Sequence, residues 1–359
     1  MRLDATLGSD PTAAARRARQ LEEGGYDGGW TSETNHDPFL PLVAAAQHTE
    51  HLELGTNIAV AFARNPMTTA HAAWDLQLLS GGRFILGLGS QIKPHITRRF
   101  SMPWSRPAAR MREYIEALHA IWDAWETGGK LNFRGDFYQH TLTNPMFVPP
   151  PQPHRRPDVY LAAVGPLMTR TAGQVADGLH CHGFTTADYV RDVTLPALRE
   201  GEAAGGRPGG EVRVSLLAMA VAADTAEAFE EHCRTMRMRI AFYGSTPAYR
   251  GVLEHHGWGD AQTELHALSV KGRWAEMADV IDDEMLHTIA AVGTPAEAAA
   301  ILAERYGDLV DRLTLVTTFD SASTDRGTDP QSWALLLEQL RRAVADRRPT
   351  TPDPLRPPG

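Results

Sequence analysis

The chain has 359 residues, and its 35 basic residues against 44 acidic residues give a net charge of −9. This acidic balance argues against a nucleic acid or an anionic membrane surface as a partner. With 43% hydrophobic and 22% charged residues, the composition is typical of a globular protein that buries a large core. Only three basic residues are lysines, Lys93, Lys130 and Lys271. We therefore expect any phosphate site to use backbone N–H groups or arginine.

The two cysteines, Cys181 and Cys233, are too few for a disulfide framework or a cysteine-rich metal site, and they fit a reducing compartment. The N-terminal residues MRLDATLGSD do not show the pattern of a signal peptide. The longest apolar run, residues 216–223, is much shorter than the ~18 residues that span a bilayer. We expect a soluble protein of the cytoplasm.

Three strand–helix units fill the first ninety residues. Their strands are predicted at residues 3–7, at GGWTSE (28–33) and at LELGTNIAV (52–60). Each following helix is predicted to begin with an Asx N-cap and a proline at the first helical position, at Asp10-Pro11, Asp37-Pro38 and Asn65-Pro66. A fourth strand, RFILGLG (83–89), is apolar throughout, as expected for a buried parallel strand.

The second part of the chain repeats this pattern with two long insertions, at about 91–107 after the fourth strand and at about 243–290 after the seventh. Four more strands are predicted, at residues 158–165, 177–183, 212–224 and 312–319. A last helix is predicted over 331–346, and the proline-rich tail 347–359 is expected to be disordered.

Eight strands alternating with helices predict an α/β fold, a (β/α)8 TIM barrel with insertions, as a single domain over residues 1–346. The alternative is a doubly wound dinucleotide-binding fold, which needs the glycine pattern G-x-G-x-x-G. The segment GLGSQI (87–92) has Ile92 in place of the third glycine, so the barrel is favoured.

In such a barrel, functional residues follow the carboxyl ends of the strands. Glu33 and His36 follow the second strand, where a carboxylate can orient an imidazole and raise its pKa for acid–base chemistry. The alternative is that Glu33 and Asp37 only accept hydrogen bonds from the start of the next helix. Gly165-Pro166 opens a helix whose first N–H groups can hold a phosphate, although such residues also serve ordinary turns.

Other kinds of site receive less support. His180 and His182 share one face of a strand, but no matching carboxylate or third histidine accompanies them, so packed histidines are favoured and no metal site is expected. The chain has neither the G-x-S-x-G motif of hydrolases nor a P-loop.

The order of several motifs resembles the bacterial luciferase-like flavin and deazaflavin oxidoreductases, and within them the F420-dependent branch. These motifs are LELGTNIAV (52–60), LSGGRFILGLGSQ (79–91), FRGDFY (133–138), LAAVGP (161–166), AGQVADGLHCHG (172–183) and GTPAEAAAILAERY (293–306). The resemblance covers most of residues 1–320 and implies a (β/α)8 barrel.

The resemblance also implies site residues. Strand three in the F420-dependent branch often ends in a non-prolyl cis peptide bond behind the deazaflavin, and the matching bond is Asn57–Ile58. The remaining cofactor-binding residues that the resemblance implies are Gly89, Ser90, Gln91, Ala163, Val164, Gly165, Met168 and His182.

The proton donor stays open. Relatives commonly place an acid directly beside the histidine after strand two, whereas Thr34-Asn35 separate Glu33 from His36 here. A glutamate that some relatives carry after strand four is not found, since Gln91 and Lys93 stand there. The candidates are Glu33, His36 and His95.

Phe62 and Arg64 follow the bulge and are predicted to contact substrate, with core packing as the alternative for Phe62. The predicted protein is an oxidoreductase that transfers a hydride between F420 and a small organic substrate. The alternatives are an FMN-dependent monooxygenase and a barrel that binds flavin or deazaflavin without turnover. No nucleic acid or membrane partner is expected, and a homodimer is expected by analogy with the family.

Overall fold

The computed structural model describes residues 1–223, 225–316 and 330–347. The predicted strand end at residues 317–319 and, apart from its first residue, the predicted disordered tail 347–359 lie outside the described residues. The strands of the described part are β1 (Arg2–Thr6), β2 (Gly28–Thr31), β3 (Glu53–Thr56), β4 (Ala59–Val60), β5 (Phe84–Gly89), β6 (Phe133–Arg134), β7 (Gln139–His140), β8 (Asp158–Ala163), β9 (Gly178–Cys181), β10 (Arg213–Ala222), β11 (Ala290–Gly293) and β12 (Arg312–Val316).

Eight of these strands close into a parallel barrel. Their order around it is β1, β2, β3, β5, β8, β9, β10 and β12, and β12 pairs with β1. The predicted (β/α)8 barrel is therefore confirmed. Strand β4 extends the pairing of β5, and β11 lies beside the carboxyl half of β10, with Ala290 opposite Met219.

Helices surround the barrel and bury its outer face in one large hydrophobic cluster. They are α1 (Ala14–Glu23), α2 (Leu40–Ala46), α3 (Pro66–Leu79), α4 (Pro107–Thr127), α5 (Pro166–Val175), α6 (Ala187–Tyr189), α7 (Leu195–Ala204), α8 (Ala226–Gly244), α9 (Arg250–His255), α10 (Gly259–Val270), α11 (Asp283–Ile289), α12 (Pro295–Tyr306) and α13 (Pro330–Arg347). None of the helices in the described residues is both long and apolar enough to cross a membrane.

The predicted Asx-Pro helix starts are correct for one helix of three. Asn65 caps α3, and its side chain accepts a hydrogen bond from the Met67 N–H at 2.9 Å. Asp10 and Asp37 accept the same kind of hydrogen bond, from the N–H groups two residues on at 2.8 and 2.9 Å, but α1 and α2 begin only at Ala14 and Leu40, two to three residues later than predicted. These are Asx turns that lead into the helices, and an Asx-Pro pair serves either purpose.

Both insertions have defined structure in the described part. The first runs from Gln91 to Arg106, contains a π-helical turn over His95–Arg99, and leads into α4. The second comprises α9, α10, a 3₁₀ helix over Trp274–Val280, and α11. It packs with α8 into a second hydrophobic cluster that includes Phe184 and Tyr189 beside the end of β9.

Buried side chains fill the lower part of the barrel interior. At the amino-terminal end of the strands, the Asp4 carboxylate accepts two hydrogen bonds from the Arg312 guanidinium, at 2.8 and 2.7 Å. The next level holds Trp30, Tyr160 and His180, with the His180 ring centroid 5.2 Å from that of Trp30 and 5.1 Å from that of Tyr160. A ligand can therefore reach the barrel only from the carboxyl ends of the strands, which we call the mouth.

Candidate functional site

The mouth is lined by the inward-facing residues that follow the filled interior. Thr6, Ser32 and Ala162 each lie two residues after a buried inward residue, which places them on the same face of their strands. The accessible residues at this level are Thr6, Ser32, Asn57, Ala162, His182, Leu217 and Val316. The sequence analysis missed Thr6, Ala162 and Leu217, although the period-two alternation of their strands marks them.

The predicted cofactor residues follow four barrel strands that are direct neighbours. Asn57 and Ile58 follow β3, the segment Gly89–Gln91 ends β5, residues 164–168 follow β8, and His182 follows β9. The structure therefore brings these residues together along one arc of the mouth, and the loop of Glu33 and His36 continues the arc after β2.

One predicted side-chain position is wrong. The side chain of Ala163 is buried in the hydrophobic cluster between the barrel and the helices, because it faces outward from β8. Its neighbours Ala162 and Val164 are half-buried and face the mouth side of the strand.

The bulge after β3 contains the cis peptide bond that the resemblance implies, between Asn57 and Ile58. The Ile58 carbonyl accepts a hydrogen bond from the Glu33 N–H at 3.1 Å, and the Asn57 N–H donates to the Thr31 carbonyl at 2.6 Å. Gly89 lies against Ile58, since a Cβ at Gly89 would be 2.9 Å from the Cδ1 and Cγ1 atoms of Ile58. Glycine is thus required for this close approach of β5 to the bulge.

Glu33 binds Arg64 and the bulge, and the predicted pair of Glu33 with His36 is not formed. Its Oε2 atom accepts hydrogen bonds from the Val60 N–H at 2.7 Å and from Arg64 Nη1 at 2.5 Å. The Glu33 side chain is only 6% exposed, whereas His36 is exposed and lies near the carboxylate of Asp10. Glu33 therefore neither orients His36 nor binds the start of the next helix, whereas Asp37 does accept a hydrogen bond there, from the Phe39 N–H.

Arg64 has carboxylate partners on both sides. Its Nη2 atom pairs with Asp37 at 2.9 Å, in addition to the pair with Glu33. Burial alone would lower the pKa of Arg64, but the hydrogen bonds and charges of Glu33 and Asp37 raise it above its ordinary value. Arg64 stays cationic, and its charge is matched within the protein, so it does not offer that charge to a substrate in this arrangement.

Phe62 is fully buried, which contradicts its predicted contact with substrate. Its ring packs edge-on against Trp104, with ring centroids 5.7 Å apart, and the Arg110 guanidinium lies 4.4 Å from its centroid. Arg110 also donates to the Tyr138 hydroxyl at 2.9 Å and to the Pro103 carbonyl at 2.7 Å. The alternative of core packing is therefore correct for Phe62. Trp104, a half-buried residue of the first insertion, covers its ring.

The first insertion crosses the rim of the mouth. It starts directly after Ser90 with Gln91, whose backbone is left-handed, with φ 59°. The side-chain oxygen of Gln91 accepts a hydrogen bond from the Ile92 N–H at 3.0 Å. His95 begins the π-helical turn and is exposed. Arg99, at the end of the turn, donates a hydrogen bond to the Thr34 carbonyl in the loop after β2.

The turn after β8 presents the start of a helix to the mouth. Gly165 is the N-cap of α5 with an extended backbone, and a Cβ placed on it would meet nothing within 4 Å. The N–H groups of the first helical turn lack intrahelical partners, which is the arrangement that binds anions. Met168 is half-buried here, and Arg170 in the next turn pairs with Glu200 at 2.5 Å. Arg170 is therefore not available as a phosphate ligand.

His182 is held neutral by its surroundings. Burial, with a smaller contribution from the charge of Arg239, lowers the pKa of His182 to about 4. Its Nδ1 atom accepts a hydrogen bond from the Phe184 N–H at 3.0 Å, so the ring proton is on Nε2. Its ring stacks on Tyr249 and meets Tyr243 edge-on, with centroids 4.7 and 4.6 Å away. Two aromatic rings that were not predicted from the sequence thus contact His182, Tyr243 from the end of α8 and Tyr249 from the second insertion.

No group of three or more histidine, cysteine, aspartate or glutamate side chains in the described residues is arranged to hold a metal ion. The main features of the site are the bulge after β3, the start of α5 and the histidines at the mouth.

The model of the luciferase-like monooxygenase family matches residues 2–312. The chain belongs to this family. A protein of uncharacterised function from Mycobacterium tuberculosis is 54% identical to this chain over 314 residues. The aligned region covers 87% of this chain and 92% of the relative. An F420-dependent glucose-6-phosphate dehydrogenase from Kineococcus radiotolerans is 33% identical over 237 residues, 61% of this chain and 67% of the relative.

A solved structure supports the fold of this luciferase-like chain. The coenzyme F420-dependent tetrahydromethanopterin reductase of Methanopyrus kandleri superimposes with a TM-score of 0.73 at 20% sequence identity, covering 94% of this chain and 96% of the reductase. At this identity the likeness shows the shared barrel.

Proposed function

We propose that this luciferase-like protein is an F420-dependent oxidoreductase, which transfers a hydride between the deazaflavin and a small organic substrate in the mouth of the barrel. The observation that carries the proposal is the bulge at the mouth, where the side chain of Ile58 packs against Gly89. This is the feature that the resemblance to the F420-dependent branch implies for the wall behind the deazaflavin. The similarity to an F420-dependent dehydrogenase supports the same cofactor.

The residues at the mouth fit such a cofactor. The side chain of Ile58 and the end of β5 would form one wall for the ring system, because Gly89 leaves no side chain between them. The phosphate-bearing side chain would lie at the start of α5, where Gly165 leaves open space and the first N–H groups point outward. F420, when bound, supplies a hydride at C5 of its ring.

His182 would lie beside the cofactor side chain as a neutral hydrogen-bond donor. Its Nδ1 atom is occupied by the Phe184 N–H, so Nε2–H is the group it can offer. Stacking on Tyr249 fixes the plane of the ring. This arrangement binds a ligand oxygen without placing another positive charge next to the cofactor.

His36 and His95 are the proposed proton donors. Glu33 is bonded to Val60 and Arg64, whereas both histidines are exposed on the rim of the mouth. Their loops lie close together, since Arg99 in the turn that begins at His95 donates to Thr34. Replacing each histidine by asparagine separates their roles, because loss of the donor lowers kcat while cofactor affinity is retained.

Titration with each cofactor tests the proposal. The fluorescence and absorbance of the protein are followed with F420 and with FMN, and hydride transfer is then screened with reduced F420 and small carbonyl and imine substrates. We expect F420 binding and substrate-dependent oxidation of reduced F420. FMN binding with oxygen consumption and no F420 binding would overturn the proposal in favour of a monooxygenase. F420 binding that never leads to turnover would favour a binding protein.

We also propose that the protein works in the cytoplasm as a homodimer. Both cysteines, Cys181 and Cys233, are buried and free, as a reducing compartment allows. Light scattering coupled to gel filtration measures the mass directly, and the mass of one chain would contradict the dimer.

A further inference from the structure

The first insertion contains an unusual run of positive charge for an acidic protein. Between Gln91 and Arg112 the sequence has no aspartate or glutamate, although the whole chain has a net charge of −9. The basic residues of this stretch, apart from His95, are Lys93, Arg98, Arg99, Arg106, Arg110 and Arg112. This stretch of the chain is therefore positively charged, whereas the chain as a whole is negatively charged.

The fold places the start of this run over the mouth. Ile96 is fully buried in the main hydrophobic cluster and anchors the segment. The segment leaves β5, and Arg99 donates to Thr34 after β2. Because β3 lies between β2 and β5 in the barrel, the segment must cross the carboxyl end of β3, where the Asn57–Ile58 bulge is.

One of these charges, Arg110, is buried and donates to the Tyr138 hydroxyl and the Pro103 carbonyl, and the other five divide into two groups. Arg106 and Arg112 have carboxylate partners, Asp136 at 3.0 Å and Glu116 at 3.9 Å. Lys93, Arg98 and Arg99 are exposed, and none of the three forms an ion pair with a carboxylate of the described residues. We call these three residues the basic rim.

The two carboxylates in the loop that Arg99 contacts already have a cationic partner. Glu33 and Asp37 follow β2, in the loop that Arg99 contacts, and both are paired with Arg64. The positive charge of the rim is therefore not matched by these carboxylates and is available to an anionic ligand at the mouth.

We propose that the basic rim is an anion-binding site, which holds carboxylate or phosphate groups of a ligand in the mouth. The proposal deepens and in part rests on the proposed function, since that ligand is either the F420 side chain or an anionic substrate. In either case, Lys93 and Arg98 would bind a carboxylate or a phosphate group. Arg99 contributes charge but also holds the segment on Thr34.

The test uses the double variant Lys93→Gln/Arg98→Gln and a matched control, Arg16→Gln/Arg19→Gln. The control removes the same charge from exposed positions on α1. Arg99 is left unchanged so that the segment keeps its contact with Thr34. Thermal unfolding of all variants establishes that they fold alike.

Three ligands distinguish the possible anions. They are F420, the same deazaflavin without its phosphate-bearing side chain, and a small anion, either citrate or inorganic phosphate. All are measured at low salt, and the small anion is measured both with and without bound F420. We expect the rim variant to bind at least one anionic ligand about fivefold more weakly than the control does, with a smaller dependence on salt. Weaker binding of F420 with unchanged binding of the truncated deazaflavin assigns the rim to the cofactor side chain. Weaker binding of citrate or phosphate alone assigns it to substrate.

Equal affinities of the rim variant and the control for all anionic ligands would overturn the proposal. If the protein does not bind F420, the proposed function fails, but citrate and phosphate binding to the protein alone still decides whether the rim binds anions.

Discussion

The Glu33 carboxylate accepts a hydrogen bond from the Val60 N–H at 2.7 Å, and this bond ties the loop after β2 to the segment that leaves the Asn57–Ile58 bulge. The Glu33 N–H donates to the Ile58 carbonyl at 3.1 Å, so one residue holds the bulge through both its backbone and its side chain. Its second side-chain partner, Arg64, is itself mostly buried. Glu33 thus positions the bulge, which is the proposed wall for the cofactor.

Replacing Glu33 by Gln is expected to destabilise the protein by about 2 kcal/mol, because a largely buried Arg64 loses one of its two carboxylates. The amide oxygen still accepts from Val60, so Glu33→Ala should weaken F420 binding more than Glu33→Gln does. Urea unfolding and F420 titration measure the two effects. Asp37→Asn, which removes the more exposed partner of Arg64, serves as control with a smaller loss. An unchanged pH profile of kcat in Glu33→Gln separates this role from proton donation, and loss of the profile would contradict it.

Replacing Gly89 by Ala is expected to weaken F420 binding by about tenfold, since the new Cβ would lie 2.9 Å from Ile58 and push the wall out of place. Because Ile58→Ala also removes part of the wall, the double variant Gly89→Ala/Ile58→Ala is compared with Ile58→Ala alone, and Gly89→Ala should cost less affinity in that background than in the unchanged protein. Gly209→Ala is the matched control, because a Cβ at Gly209 meets nothing within 4 Å. Equal F420 affinity of Gly89→Ala and the control would exclude this wall from the binding site.

The barrel was predictable from the alternation of strands and helices, whereas the position of the bulge was implied by the family that the order of the motifs resembles. The side of a strand on which an individual residue lies was harder to predict. Ala163 was placed in the site although it faces outward, and period-two alternation from Tyr160 identifies Ala162 instead. The burial of Phe62 depends on Trp104, which lies forty-two residues later in an insertion whose path the sequence does not define.

The contacts of the second insertion were equally inaccessible to sequence reasoning. Tyr249 reaches His182 only because the insertion folds back on the end of β9, and no spacing in the chain indicates this contact. The Asx-Pro pairs show a further limit, since the same dipeptide caps α3 at Asn65 but forms a turn ahead of α1 at Asp10. The two side-chain bonds are alike, so the bond alone does not indicate at which residue the helix begins.

The free energy of unfolding is expected to fall as the pH is lowered from about 6.5 toward 4, because histidines whose pKa is lowered in the folded protein take up a proton only after unfolding. Burial is the main cause that lowers the pKa of His182 to about 4 and that of His180 to about 3, both below the value in the unfolded chain. Above about pH 6.5 both states are neutral and this stability is fully present. It is lost as the unfolded state is protonated, until the folded state also titrates.

His182→Gln tests this linkage. The variant should reduce the slope of unfolding free energy against pH, between pH 5 and 6, by about 1 kcal/mol per pH unit, which corresponds to about one proton. The control is His51→Gln, because the His51 side chain is 87% exposed. Urea unfolding at several pH values gives the slopes, and an equal slope for the two variants would show that His182 is protonated in the folded protein.

The ion pair between Asp4 and Arg312 is expected to be essential to the closed barrel. Both side chains are buried, and the pair joins β1 to β12, where the barrel closes. Asp4→Ala should lower the free energy of unfolding by about 3–5 kcal/mol, because it leaves the buried Arg312 cation with less compensation. The double variant Asp4→Leu/Arg312→Met removes both charges and should lose less than the sum of the single changes. Arg2→Gln, which breaks a more exposed pair with Glu53, provides the comparison. A loss in Asp4→Ala no larger than that in Arg2→Gln would mean that water reaches Arg312 and that the interior is not closed at this end.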